Sequence, residues 1–223
     1  RNDAAAKLQL PNLQGLVSAG VKAGRVDPVF PDETIPALVS FLSGCEPEKH
    51  RYFKEEDNCQ MELLPLVMEK NGIKTAFFDG SGQLKSLMGK VSYYYGGNLK
   101  NDRELVDRFL QEHSRLKPFV SILVFSDLRK LLYQYGAGSR AYQQGVNETD
   151  NQLGRVLSYL QQQNVFRETV FVVAGISADP LLVMKGPDFR VGTILPPVGL
   201  IDFAPTIAYL QGLKLGGGGL VLW

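Results

Sequence analysis

Two short apolar runs constrain this chain more than any other feature. "PFVSILVFS" (118–126) and "TVFVVAG" (169–175) hold few polar residues and show no alternation of period two. A strand with one face in water alternates, whereas a strand covered on both faces reads as a continuous apolar run. Amphipathic helical patterns surround them. "NDRELVDRFLQEHSRL" precedes the first run, with Leu105, Phe109 and Leu110 turned inward. "SRAYQQGVNETDNQLGRVLSYLQQQNV" (139–165) lies between the runs as a long helix, with Val146, Leu153, Leu157 and Leu160 on one stripe. Doubly covered strands alternating with such helices imply an α/β fold, a three-layer αβα sandwich around a mostly parallel sheet.

The rest of the chain extends the alternation. "LPNLQGLVSAGV" (10–21) sets Leu13, Leu16, Val17 and Val21 at helical spacing, with Gly20 and Gly24 where a helix end is expected. "RVDPVF" is a short strand. "TIPALVSFLSG" is a helix with Leu38, Phe41 and Leu42 on one face and Gly44 as its stop. "MELLPLVMEKNG" is a further helix and "IKTAFFD" a strand, while "PLLVMKG" follows the second apolar run almost at once. "GLIDFAPTIAYLQGL" closes the pattern as a helix with Asp202 near its start. No repeat or low-complexity linker interrupts it; "GGNLK" and "LGGGG" read as local loops. A single domain over residues 1–223 is expected.

Charge and composition exclude some partners. The formal net charge is +1, so no whole-molecule field draws the chain to nucleic acid or an anionic membrane. No apolar run reaches the ~18 residues of a spanning helix. The sequence opens on Arg1 rather than Met, which says nothing about a leader, an anchor or a first strand. Cys45 and Cys59 have no zinc-knuckle spacing and are expected as free thiols. With His50 and His113 as the only histidines, chemistry that needs several imidazole ligands is starved.

"VFPDETIPALVSFLSG" (29–44) has the form of a catalytic loop. Thr34 stands between Pro31 and Pro36, just ahead of an apolar helix. It is either a nucleophile or an N-cap whose hydroxyl accepts from a free backbone N–H, worth about 1 kcal/mol. Other conspicuous stretches have plain readings. "YYY" (93–95) fits an edge strand or an interface, and "EPEKHRYFKEED" a solvated loop. "NET" (147–149) is a glycosylation sequon inside a predicted helix and carries no weight. "KGP" (185–187) lacks the glycines and the Lys-Ser/Thr of a phosphate loop.

Four segments, in order, resemble the alkaline phosphatase superfamily, in particular its sulfatase and nucleotide pyrophosphatase/phosphodiesterase branches. "LPNLQGLVSAGV" resembles the family's TPNLxxLxxxGV helix, and "VFPDETIPALVSFLSGCEPEKH" its nucleophile segment FPSxTFPNHxSLLTGxxPxxHG. "YGAGSRAYQQGVNETDNQLGRVLSYLQQQNVFRETVFVVAG" resembles the YGPxSxEYxxAVxxxDxxLGxLLxxL helix and the strand after it. "PLLVMKGPDFRVGTILPPVGLIDFAPTIAYLQGL" resembles the closing PLIIxGPGIxxGxxxxxPVSLVDIAPTILxLLGL. "RNDAA" resembles the residues just after the family's first strand, which ends in a metal-binding Asp; that strand is not part of the sequence as given.

The resemblance implies a metal-assisted ester hydrolase, and the sequence departs from it at nearly every metal position. In the family, Asp and His side chains hold two divalent ions that activate a Thr, Ser or modified Cys. Thr34 matches the nucleophile, but Ala37 stands where an Asn often steadies the transferred group. The Asp-x-x-x-His pair ahead of the YGPxS pattern falls on Arg129 and Tyr133, with Asp127 out of register by two. The Asp-His pair after the later strand falls on Ile176 and Ser177, with Asp179 three residues late. No His follows His113, and His50 matches a position outside the metal shell of most members.

The expectation is therefore a family member that has lost its metals and no longer catalyses. It would bind or scaffold, and recognise a phosphate- or sulfate-bearing anion near Thr34 and Arg129 without a cofactor. On the bland reading Arg129 is a loop residue paired with Asp127, and Tyr133 packs into the space of the lost imidazole. The alternative is a Zn²⁺-, Mn²⁺- or Mg²⁺-dependent phosphodiesterase or sulfatase-like hydrolase with Thr34 as nucleophile and Asp127 and Asp179 recruited as ligands. A third reading is a structural, homo-oligomerising domain whose old cleft is plugged by Tyr133. The resemblance also points to an extracytoplasmic setting.

Overall fold

A computed structural model describes residues 8–97, 99–176 and 179–222. The elements run α1 (Pro11–Ser18), β1 (Val21–Ala23), β2 (Val26–Asp27), α2 (Thr34–Ser43), α3 (Pro47–His50), α4 (Leu64–Lys70) and β3 (Thr75–Asp79). They continue with α5 (Lys85–Met88), β4 (Tyr93–Gly96), α6 (Asp102–Leu116), β5 (Val120–Val124), α7 (Asp127–Tyr135) and α8 (Arg140–Gln162). The last are β6 (Phe171–Gly175), β7 (Leu181–Lys185), β8 (Thr193–Leu195), β9 (Val198–Gly199), a 3-10 turn (Leu200–Asp202) and α9 (Phe203–Leu210).

The helices start and stop where local chemistry dictates. Asn101 caps α6 by accepting from the Glu104 N–H at 3.0 Å, and Ser139 caps α8 by accepting from the Tyr142 N–H at 3.1 Å. Gly44, with φ at 71°, ends α2 in the left-handed conformation that glycine adopts without a Cβ penalty. Val21, which fits the α1 periodicity, lies instead in β1, because the helix stops at Ser18 and Gly20 packs against the backbone of Met184 and Lys185.

The strands form an α/β architecture that is only partly parallel. β4-β3-β5 is a parallel three-stranded sheet, and β2-β9 is a parallel pair. In the four-stranded sheet β6-β7-β1-β8, β1 and β8 are parallel, but β7 runs antiparallel to both β6 and β1. The expectation of a mostly parallel sheet is corrected there. A parallel neighbour needs a crossover of a dozen or so residues, and the chain passes from Gly175 to Leu181 without room for one. A second correction concerns β5. All five of its residues are half-buried rather than covered on both faces, because β5 is the outer strand of its sheet. "YYY" is an edge strand, as its composition suggested.

Helices cover the strands from both sides. Phe77, Phe78 and Phe109 are fully buried or nearly so, with Phe78 and Phe109 in a T-shaped contact at 5.5 Å. The Phe41 ring of α2 stacks on the Phe203 ring of α9 with centroids 3.8 Å apart. Asp150 of α8 latches the start of α1: its carboxylate accepts from the backbone N–H of Asn12 and Leu13 and from the Asn12 side-chain amide. The "LGGGG" stretch is less free than a loop. The N–H groups of Gly218 and Gly219 both donate to the Gly44 carbonyl, at 2.8 and 3.0 Å, across the C-terminus of α2. Leu220 N–H then donates to Asp202 and Leu222 N–H to Thr206.

Candidate functional site

The C-terminal edge of β3 and β5, with the N-termini of α2 and α7 nearby, is where an open α/β sheet offers a ligand crevice. The candidate residues converge on this end, but not as one cluster.

Thr34 is the first helical residue of α2. Glu33 occupies the cap position, with extended backbone at φ −114°, ψ 149°, and no side chain there accepts from a helix N–H. The N-cap reading of Thr34 is therefore corrected. Thr34 is half-buried, its hydroxyl makes no hydrogen bond among the described residues, and the first N–H groups of α2 have no side-chain acceptor. The helix itself is held firmly. His50 is 0% exposed; its Nδ1 accepts from the Tyr52 N–H at 3.0 Å, so Nε2 carries the proton. That Nε2 lies 3.2 Å from the Pro36 carbonyl and 3.0 Å from Ser40 Oγ. Burial lowers the His50 pKa, and the bond to Pro36 opposes the shift.

Arg129 lies on α7, not in a loop. Its guanidinium donates to Gln83 Oε1 at 3.2 Å and covers the Tyr133 ring at 5.6 Å. Asp127 pairs not with Arg129 but with Lys130, at 3.1 Å. Tyr133 is 76% exposed, which corrects the expectation that it packs inside and removes the support for a plugged cleft. No hydrogen bond or ion pair joins Arg129 to Thr34 among the described residues.

The carboxylates nearby are engaged in the scaffold. Asp79, fully buried at the end of β3, accepts from Ser81 N–H and Oγ–H, from Leu84 N–H and from Tyr94 Oη–H. Burial and the Asp79 charge push the Tyr94 hydroxyl pKa far up, so it remains a donor. Asp127 Oδ2 accepts from the Asp102 N–H at 2.7 Å, while the Asp102 carboxylate accepts from the N–H groups of Ser126 and Asp127. Burial pushes the Asp102 pKa up to about 6; the two N–H bonds pull against this and the Asp127 charge adds to it. Asp179 sits half-buried in the β6–β7 connection and is itself engaged. "RNDAA" and Ser177 lie outside the described residues.

Both histidines are likewise spent on structure: His113 Nδ1 lies 3.3 Å from the Tyr159 hydroxyl, and its ring packs on Phe109. No group of three or more His, Cys, Asp or Glu side chains converges among the described residues. Cys45 and Cys59 are free thiols. A cavity of about 440 Å³ lies against α8 between Asn12, Leu110, Arg155 and Tyr159 and contains neither Thr34 nor Arg129. No described helix is long and apolar enough to cross a membrane.

Comparison with known proteins agrees with this picture of the fold. Residues 2–56, which include Thr34 and His50, match the family described as type I phosphodiesterase / nucleotide pyrophosphatase. Murine ectonucleotide pyrophosphatase / phosphodiesterase 5 superposes with a TM-score of 0.85 at 11% identity, covering 98% of this chain and 94% of that one. An inactive variant of that murine protein, solved in complex with AMP, gives a TM-score of 0.79 at 11% identity over the same shares. The lipoteichoic acid synthase LtaP from Listeria monocytogenes gives 0.70 at 16% identity, covering 96% of this chain and 68% of that one. No curated protein sequence matches. The resemblance read from the sequence holds as a fold: the chain has the alkaline-phosphatase-like α/β architecture of these proteins.

Proposed function

From an alkaline-phosphatase-like fold that carries the type I phosphodiesterase / nucleotide pyrophosphatase pattern over residues 2–56, we propose that the chain binds a phosphate-bearing ligand beside Thr34 and Arg129 without hydrolysing it. The single observation that carries this reading is the state of the two histidines. A two-metal ester hydrolase of this family needs imidazole and carboxylate donors with open positions. His50 and His113 are bound within the fold, and Asp79, Asp102 and Asp127 are taken up by backbone and side-chain donors.

A binding role asks less of these residues. The uncapped start of α2 offers N–H groups to an anion, and Arg129 offers a planar cation held by Gln83. The murine neighbour solved with AMP makes a nucleoside monophosphate the first ligand to try. A sulfate ester is the second, and an extracytoplasmic setting fits the ecto-proteins that share the fold.

The test is calorimetric titration with AMP, run beside hydrolysis of bis-p-nitrophenyl phosphate with added Zn²⁺ and Mn²⁺. The expected result is AMP binding that needs no metal and weakens about ten- to a hundredfold in Arg129→Ala, the worth of a charge-assisted hydrogen bond. Near-stoichiometric metal, with turnover that disappears in Thr34→Ala, would sink this reading and install the hydrolase with Asp127 and Asp179 as recruited ligands.

A further inference from the structure

Arg129 is held by a neutral partner. Its guanidinium donates to Gln83 Oε1 at 3.2 Å, and no carboxylate pairs with it among the described residues, because Asp127 is taken by Lys130. A carboxylate would fix a guanidinium more tightly but would cancel its charge. The Gln83 amide fixes it and leaves the charge in place. That amide also has a second end. With Oε1 turned to Arg129, the two N–H groups at Nε2 diverge from the guanidinium and have no partner among the described residues.

The position of Gln83 is built into the backbone. Asp79, fully buried, accepts from the Ser81 N–H and from the Leu84 N–H, both at 2.9 Å, and so folds the turn between β3 and α5. Ser81 Oγ donates to Asp79 at 2.6 Å and accepts from the Gln83 N–H at 3.2 Å. Gly80 joins this turn to the element that carries the arginine. Its N–H donates to the Val124 carbonyl and its carbonyl accepts from Ser126 Oγ, both at 2.9 Å. Ser126 immediately precedes α7, so the turn and the helix are fixed to each other without help from the Gln83–Arg129 bond. Apolar neighbours set which end of the sheet the pair occupies. Leu84, next to Gln83, and Ile35, next to Thr34, pack in one cluster with Val124. Gln83 therefore stands at the same end as Thr34, with one side of its amide on Arg129 and the other uncommitted.

We infer that Gln83 is a binding residue of this site in its own right: Oε1 fixes Arg129, and Nε2–H donates to the phosphoryl group that the guanidinium binds. The inference rests on the function proposed above and adds a ligand contact to it. An amide and a guanidinium in this arrangement offer the ligand donors only, which suits a fully ionised oxyanion. Because both donors are pre-set by the Asp79 turn and α7, the ligand does not have to order them.

The test is a double-mutant cycle read by calorimetric titration with AMP on the 223-residue chain. Gln83→Met keeps the length of the side chain and removes both ends of the amide. It should weaken AMP binding about tenfold in the otherwise unaltered chain, and about threefold or more again in the Arg129→Ala background. By NMR, the Gln83 side-chain amide resonances, identified by their loss in Gln83→Met, should shift with AMP in step with the binding curve. Gln83→Glu should weaken binding at least about tenfold without lowering the melting temperature, since it holds Arg129 but cancels its charge. A Gln83→Met effect that disappears in the Arg129→Ala background would make Gln83 a positioning residue only and overturn the inference. Amide resonances that stay still, or AMP binding unchanged in Gln83→Met or in Gln83→Glu, would overturn it too and leave the proposed function standing. If the Arg129→Ala background binds too weakly to titrate, the amide resonances decide. No AMP binding by the unaltered chain would overturn both.

Discussion

Asp102 and Asp127 hold each other's backbones: each carboxylate accepts from the other residue's N–H, at 3.1 and 2.7 Å. The exchange ties the first turn of α6 to the first turn of α7, and Ser126 adds a third bond at 2.8 Å. It gives the protein a measurable pH signature. Asp102 titrates near pH 6 in the folded chain, above its ordinary value of 3.8. Between those values the folded state holds a proton that the unfolded state has lost. Stability from this residue is therefore full below about pH 4 and falls as pH rises through 6, by about 2–3 kcal/mol. Denaturant midpoints measured from pH 4 to 7 should show the decline, and the Asp102→Asn curve should lack it. Asp102→Asn should also be less stable than wild type at pH 4, because its amide places N–H against N–H.

His50 works in the opposite direction. Burial depresses its pKa, so the unfolded state takes up a proton that the folded state refuses. Its contribution is present above about pH 6.5 and lost as pH falls through that value and below. His50→Gln should reduce the loss of stability between pH 7 and 5 in the same titration. His50→Ala, which abandons the Tyr52 N–H and leaves a cavity under α2, should cost about 3 kcal/mol at pH 7.

Thr34→Ala should leave the melting temperature nearly unchanged, within the shift expected for about 0.5 kcal/mol. The Thr34 hydroxyl caps nothing, and Glu33 holds the cap position. A cap would lose about 1 kcal/mol or more on the same substitution. Calorimetry on the pair separates a residue kept for a ligand from one kept for its helix.

Two helical glycines should respond to alanine with opposite signs. Helix propensity favours alanine by about 1 kcal/mol at both Gly15 and Gly154. A Cβ at Gly15 meets nothing within 4 Å, so Gly15→Ala should stabilise. A Cβ at Gly154 stands 2.6 Å from Asn12 Oδ1, in the side chain that Asp150 holds, so Gly154→Ala should destabilise by about 1–3 kcal/mol. Urea midpoints of the two variants are sufficient.

What the sequence revealed and what it concealed have physical reasons. α6 and α8 were legible because their apolar stripes and caps agree: Asn101 and Ser139 sit where period and chemistry both place a start. The antiparallel β7 was signalled by the short path from Gly175 to Leu181, but strand composition alone does not carry direction. The half-covered state of β5 was concealed because apolar content reports what a strand needs, not which neighbours it has. At the site, the substitutions at Arg129 and Tyr133 were visible by position. Their surroundings were not, since Gln83 lies 46 residues away from Arg129 and nothing local marks it as a partner. The Asp102–Asp127 exchange was equally silent, a bond across 25 residues between two ordinary helix starts.

The glycines at 216–219 look like a piece to trim. They are instead a clasp: the Gly44 carbonyl receives two of their N–H groups, and a Cβ at Gly217 would stand 2.5 Å from that carbonyl oxygen. A side chain at Gly217 or Gly219 would press on the backbone of Gly44 or Ile201 and pry the strap from the far end of the helix that presents Thr34. Anyone designing a shortened or tagged version should count this stretch as part of the working body, because a cut made for tidiness at one end of α2 would be felt at the other.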